Sequence, residues 1–452
     1  MHDCVRHTRL KIPLLLALQI IPSQAFEDVI GDRVIAMTLI PPPVRFVLAT
    51  IVIDAIGFGI IMPVMPDLLM AVGNMDVAAA VRFGGLLALL YAGFQFLLGP
   101  VLGNLADRYG RRPILLGSLA GYSVNFALMA VAPNLGWLVA GQALAGVFGG
   151  TYGPAQAALA DITKASDRAR IFGYVGAAFG VGFTIGPVIG GLLGEFGPRM
   201  PFVAAAALAA ANFVYGMIYF PETLAKENRR AFDWRRGNPI GALKTFGRLP
   251  GVASLGIVLL LWQVASLIYP LTWGYYLIAS FDASPRLIGI SLTFVGVSLA
   301  LVQFFLTGRI VARIGEQRAA ILGLCAASTA FLGFAIAPHF PLALLALLVM
   351  PFGSVIQPSL SALMSQRGNA NNQGEVQGFT ASIMSLGAMI APVTLNPTLA
   401  HFTAANASQK LPGAAFVLAM LIALIALIVV VRMRSGGSAN QPRDAGDHFI
   451  SH

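Results

Sequence analysis

Asp54 stands ten residues into an apolar stretch running from about residue 44 to 66, and no other carboxylate, lysine or arginine lies as deep in any apolar run of this 452-residue chain. If that stretch crosses a bilayer, an ionised carboxylate near its middle costs roughly 2.5–3.5 kcal/mol even on lenient insertion scales, so such residues usually face a bundle interior and act on ions or substrates. Asp54 is therefore a candidate proton-coupling residue or cation ligand; the alternative is a protonated, hydrogen-bonded structural acid. A second concentration of chemistry is the short polar segment Gly103-Asn-Leu-Ala-Asp107-Arg108-Tyr-Gly110-Arg111-Arg112-Pro113. Gly110 permits a tight turn, Asp107 at a helix end can pair with a base or with another helix's N-terminus, and the arginines suit an anionic leaflet. Third, the run Gly182-Phe-Thr-Ile-Gly186-Pro187-Val-Ile-Gly190-Gly191 repeats glycine every four residues. That spacing lays a groove along one helical face, open to close approach by another helix, and Pro187 introduces a bend.

Uncharged polar side chains complete the inventory. Tyr91, Gln95, Asn125, Gln142, Gln263, Gln303, Gln357 and Asn396 could orient a ligand in a central cavity without net charge, or could hold neighbouring helices together. Trp262, Tyr269, Trp273, Tyr275 and Tyr276 are expected to divide between cavity wall and interfacial belt. The two cysteines, Cys4 and Cys325, lack metal-ligand spacing, and all six histidines fall in loops or tails, so neither a metal nor any other cofactor is expected. No phosphate-binding GxxxxGK[ST] loop is present. A single deep carboxylate cannot assemble a paired-carboxylate or nucleophile-triad site, so an enzyme is not expected.

These groups need elements to position them. With 57% hydrophobic and 11% charged residues and a mean hydropathy of +0.78, bilayer burial is the economical explanation, and unbroken apolar runs rather than alternation indicate helices. Twelve spans are predicted, at about 44–66, 83–104, 113–132, 135–159, 171–193, 201–220, 252–278, 287–308, 318–336, 341–364, 377–399 and 412–431. The expected organisation is an all-α membrane protein with two six-helix halves, 44–221 and 251–432, joined by a basic cytoplasmic linker at 222–250 and followed by a cytoplasmic tail at 433–452. The bases support this topology. Twenty of the 29 lie in the loops after even-numbered spans or in the tail, against Arg82, Arg199, Arg286 and Lys410 in the opposite loops, which puts both termini in the cytoplasm. A net charge of +10 spread over short loops does not make a nucleic-acid face. Residues 1–43 fit less well: their apolar run from Ile12 to Pro22 is too short to span. They are read as a disordered extension, or as lying upstream of a start at Met37.

An internal repeat agrees with two halves, since Gly103, Arg108 and Gly110 recur 205 residues later as Gly308, Arg313 and Gly315. The first of these loops closely resembles the G-x-L-a-D-R-x-G-R-[KR] signature of the major facilitator superfamily. That resemblance implies that Gly103, Asp107, Arg108, Gly110, Arg111 and Arg112 form a conformational latch between the halves. The Gly182, Gly186, Pro187, Gly190 and Gly191 run is similar to the antiporter motif of the drug-exporting branch. Asp54 to Pro66, Ala160-Asp161-Ile162-Thr163 before Asp167-Arg168-Ala-Arg170, Pro221-Glu222-Thr223 and Gly315-Glu316-Gln317 resemble the tetracycline efflux family, over roughly residues 44–432. Drug/proton antiport by alternating access is what this resemblance implies. The chain departs from that family at positions where its members carry titratable groups: Asn125 replaces an aspartate, Gln142 an arginine, Leu299 a histidine and Ala327 an aspartate.

The reading is a secondary-active exporter of a small amphipathic compound, drug or tetracycline-like, exchanged for protons at a midplane site. A proton-coupled metabolite symporter and a non-transporting membrane sensor are the alternatives. The implied partners are the lipid bilayer of the bacterial inner membrane, a small-molecule substrate and protons, with no nucleic acid and a monomeric chain.

Overall fold

The computed structural model describes residues 41–149, 152–164, 167–232, 252–367 and 373–434. Residues 1–40 of the predicted extension, most of the linker and nearly all of the tail lie outside them, while residues 42 and 43, assigned to the extension, open the first helix. Among the described residues every regular element is helical, and eleven helices or collinear runs are long and apolar enough to cross a membrane. The fourth position in the predicted order holds two shorter helices, Leu135–Phe148 and Tyr152–Ile162.

Local chemistry sets the breaks. The first span, Pro42–Ile61, ends earlier than predicted, and a separate helix, Met65–Gly73, follows a turn. Pro63 and Pro66 each remove a backbone donor there. The second span begins earlier than predicted: Asp76 caps it through Ala79 N at 2.8 Å and the helix continues unbroken from Val77 to Tyr109. Gly110 then turns the chain at φ +110° and Gly315 turns it at φ +79°, so the repeated loop keeps a positive-φ glycine in both halves. The eighth span passes from Pro285–Leu301 through a π-helical segment, Val302–Thr307, into Gly308–Ile314, and a 3-10 segment at Met350–Val355 interrupts the tenth.

The glycine stripe of the fifth span, Arg168–Gly194, meets the first span backbone to backbone. A Cβ on Gly186 would lie 2.7 Å from the Ile56 carbonyl and 2.8 Å from Gly59 Cα, and one on Gly190 would overlap the Ile60 carbonyl. Its opposite side meets the other half of the molecule, where Gly191 faces Pro285, Arg286 and Gly289, and Pro187 faces Gly289. Thr293 Oγ1 donates to the Thr184 carbonyl at 2.9 Å across the same seam. The second and eleventh spans form the matching contact, with Gly85 against Asn396 and Pro392 and Asn396 Nδ2 donating to the Val81 carbonyl at 3.1 Å.

All these cross-half contacts sit toward the end opposite the basic loops. Toward the basic end, Gly99 and Gly103 of the second span and Gly176 and Gly180 of the fifth have no neighbouring heavy atom within 4 Å of a would-be Cβ. The halves are therefore closed together at one end and splayed at the other.

Gly190→Leu is expected to cost at least about 1–3 kcal/mol by overpacking and to lower the yield of folded protein sharply. Gly180→Ala, with open space beside it, should be tolerated. Thermal unfolding of the purified variants checks both.

Candidate functional site

Asp54 is half-buried on the first span, within interaction range of the Asn212 amide of the sixth. Thr50, one helical turn earlier, donates to Asn212 Oδ1 at 3.3 Å, while Asn212 Nδ2 is buried without a hydrogen bond of full geometry. Tyr122 of the third span lies within electrostatic reach of Asp54 and hydrogen-bonds with Tyr91 of the second. Gln95 Nε2 donates to Tyr91 Oη at 3.2 Å and to the Gly149 carbonyl at 2.9 Å. A chain of polar groups thus runs from the first span through the third and second to the fourth. Tyr91 and Gln95 had sequence signals; Tyr122, Thr50 and Asn212 had none beyond being polar in an apolar run.

The other candidates divide. Gln303 is exposed in the π-helical segment, on the side of the eighth span that carries Thr293 and Gly296 toward the first half. Gln142 is half-buried on the fourth span. Gln357 Nε2 contacts Met384 Sδ at 3.3 Å, and the Gln263 stem covers Gly387. Asn125 is buried against Gly141 and Asn396 against Gly85, so these two amides sit in helix–helix seams. The five aromatic residues of the seventh span form neither wall nor belt. Trp262, Tyr269, Trp273, Tyr275 and Tyr276 are buried, and three of them, Tyr269, Trp273 and Tyr276, pack on Phe334 and Phe416. Trp273 Nε1 donates to Ser291 Oγ at 2.9 Å and Tyr276 Oη to the Phe334 carbonyl at 2.7 Å, which satisfies their polar atoms inside the core.

The basic loop is held by carboxylates of its own half. Arg111 donates to Asp107 Oδ1 at 2.6 Å and to Asp161 Oδ2 at 3.1 Å. Glu222 Oε1 accepts from the backbone N–H groups of Arg111 at 2.8 Å and of Thr223 and Leu224 at 3.0 Å, and its Oε2 accepts from Arg112 N at 3.3 Å. Glu222 thereby neutralises the positive end of the third span, whose cap residue Gly110 has no side chain to do so. Arg112 Nη2 reaches the Met217 carbonyl at 2.8 Å, Arg230 N donates to the Asp107 carbonyl at 3.0 Å, and Arg108 lies exposed over Tyr109. Beside this cluster a cavity of about 660 Å³ is lined by Asp107, Arg111, Asp161 and linker residues 227–230. The second half repeats the connectivity: Gln366 Nε2 donates to Glu316 Oε1 at 3.1 Å and Gln317 Nε2 to the Val430 carbonyl at 3.1 Å.

Residues 47–392, and in an overlapping match 276–449, fit the model of the Major Facilitator Superfamily. The chain belongs to this superfamily. It is 38% identical over 379 residues to the class C tetracycline resistance protein of Escherichia coli, covering 84% of this chain and 95% of that protein. It is 36% identical over 341 residues to the class G tetracycline resistance protein of Vibrio anguillarum, covering 75% of this chain and 86% of that one. In fold it is similar to the nucleoside transporter NupG, with a TM-score of 0.72 at 14% identity over 86% of this chain and 99% of that one.

Within this facilitator fold the four departures have structural settings. Ala327 is buried beside Gly353, which also abuts the Trp262 ring, Leu299 packs on the second half's core, Asn125 abuts Gly141, and Gln142 is half-buried. One acid was missed by sequence reading because it stands at the end of a span, where a headgroup-level carboxylate is ordinary. Asp67, on the helix Met65–Gly73, acts electrostatically on Tyr275 of the other half, whose hydroxyl occupies the place of a Cβ on Gly84. Burial raises the Asp67 carboxyl from 3.8 to about 6.

Two outcomes follow. Glu222→Ala should destabilise the loop by about 1–3 kcal/mol, since it strands backbone donors, and should speed hydrogen exchange at Arg111 and Arg112. For Asp67 the raised pKa means that the neutral acid favours the closed end: its contribution is complete below the ordinary carboxylate pKa and is lost as pH rises through about 6. Spin labels at Phe196→Cys and Leu411→Cys, in a background lacking Cys4 and Cys325, should move apart between about pH 5 and about pH 8, and Asp67→Asn should abolish that pH response.

Proposed function

We infer that this facilitator is a proton-coupled exporter of a small amphipathic drug-like compound, operating by alternating access in the bacterial inner membrane. The similarity to tetracycline resistance proteins over most of both chains is the observation that carries this reading. With the basic loops facing the cytoplasm, the splayed end opens inward, which is the loading side for an exporter. Both termini then lie in the cytoplasm, and the chain acts as a monomer.

Asp54 serves as the proton-coupling residue in this scheme. Its neighbours support the role, because Asn212 and Tyr122 offer polar partners to the carboxyl in either protonation state, and Tyr91 and Gln95 extend them toward the fourth span. A proton arriving at Asp54 replaces an anion by a neutral acid. That change alters the cost of keeping the first span desolvated and so biases the halves between their two arrangements. The glycine stripe against the first span transmits any shift there to the fifth, which also forms the seam with the second half. The loop from Gly103 to Arg112 acts as the latch; its pairing with Asp161 and Glu222 describes the released arrangement, with the basic ends of the halves apart.

Asp54→Asn is expected to lower proton-driven drug export in everted vesicles by more than about tenfold, roughly 1.4 kcal/mol or more in barrier. Asp54→Glu should keep part of it. Substrate-induced proton release, read with a pH-sensitive dye, would overturn this assignment if it were unchanged in Asp54→Asn.

A further inference from the structure

We propose that Phe58, Phe183 and Phe179 form a stacking wall in the gap between the halves that binds a flat, uncharged aromatic ring system. The proposal rests on the exporter reading and names how the substrate is held.

Phe58 lies one turn beyond Asp54 on the same face of the first span and is 42% exposed. It stacks on Phe183 of the fifth span at 6.3 Å between ring centres, and Phe183 stacks on Phe179 at 5.9 Å with only 14° between planes. Positions 176, 179, 180, 183 and 187 share one face of that helix by their spacing. At Pro187 this face touches Gly289 of the second half, whereas at Gly176 and Gly180 it meets open space. The rings of Phe179 and Phe183 therefore border the gap just where the seam ends and the halves part. Phe179 is 44% exposed.

The surroundings select the ligand's chemistry. Parallel offset rings leave an aromatic face for a further ring to stack on, an arrangement worth more than area alone. Across the gap Gln303 is exposed on the eighth span, and Asp54, Gln95 and Tyr91 stand on the first half. They offer donors and acceptors to the edge of a flat molecule. Gln303, Gln95 and Tyr91 are uncharged side chains, so Asp54 is the one carboxylate in this group. Shape and stacking must then supply the affinity that ion pairing would otherwise give.

Equilibrium binding of lumichrome, a neutral three-ring fluorophore, to the purified full chain in nanodiscs tests the wall independently of transport. Wild type should bind lumichrome and quench it. Phe183→Leu and Phe58→Leu should each weaken binding about three- to tenfold, while Phe183→Tyr should bind within about twofold of wild type. Leucine variants that bind as wild type does would overturn the proposal, as would a tyrosine variant as weak as the leucine one, or no binding to wild type. Substrate-driven proton release by the same preparations reports on the exporter reading separately, so loss of stacking with intact coupling and loss of coupling with intact stacking are distinguishable.

Discussion

The contact on which the rest of the molecule depends is the backbone-to-backbone packing of the first and fifth spans. Lipid chains are as apolar as leucine, so helices in a bilayer associate by close van der Waals fit rather than by exclusion from water. Gly182, Gly186 and Gly190 remove the side chains that would hold the helices apart, and the carbonyls of Val52, Ile56 and Ile60 occupy the space. The consequence reaches both halves. With one side fixed to the first span, the fifth offers its other side, Thr184, Pro187 and Gly191, to the eighth. The position of Asp54 on the first span and the seam that closes one end are thus set by two sides of a single helix.

The repeat shows what the fold preserves and what it leaves free. Arg111 with Asp161 and Glu316 with Gln366 are both related by the same 205-residue shift as the turn glycines Gly110 and Gly315. Arg112 and Gln317, again shifted alike, each bind a carbonyl near the end of the sixth helix of their half. Connectivity is kept while charge is not. An ion pair in the first half becomes a neutral-to-acid hydrogen bond in the second. The backbone geometry of the turn explains this, because a positive-φ glycine directs the next two residues to the same neighbours whatever their side chains carry.

Much of this was legible in the sequence. Apolar runs and the four-residue glycine spacing point to membrane helices and to close helix packing, and the structure uses the glycines as the spacing implies. What escaped was direction. A span that is apolar all round has no polar face to say which side looks inward, so Asn125 and Asn396 could not be told from cavity amides, nor the tryptophans and tyrosines of the seventh span from an interfacial belt. In the structure Tyr269, Trp273 and Tyr276 fill the core of the second half, a choice made by partners far away in sequence, Phe334 and Phe416. Glu222 and Asp67 escaped for a related reason: acids at span ends are common, and only the fold reveals that one collects backbone donors and the other faces the opposite half.

At two of the four departing positions a neutral residue fits the packing around it. Ala327 is buried in the apolar core of the second half, and Gly353 stands between it and the Trp262 ring, so a carboxylate at 327 would be desolvated among apolar side chains. An unpaired buried charge is far costlier than an alanine, so aromatic packing in the seventh span and a neutral residue at 327 are mutually consistent choices. Asn125 keeps the volume of an aspartate while remaining neutral against Gly141, where its Oδ1 is buried without a partner. In the proposed scheme Asp54 is the proton-coupling acid, which makes the identity of its neighbours matter. Asn212 stands within hydrogen-bonding range of that carboxyl and is itself held by Thr50, while Tyr122 lies within electrostatic reach, so the polar neighbours of Asp54 come from the third and sixth spans, and the fifth span holds the first span's backbone in place beside them.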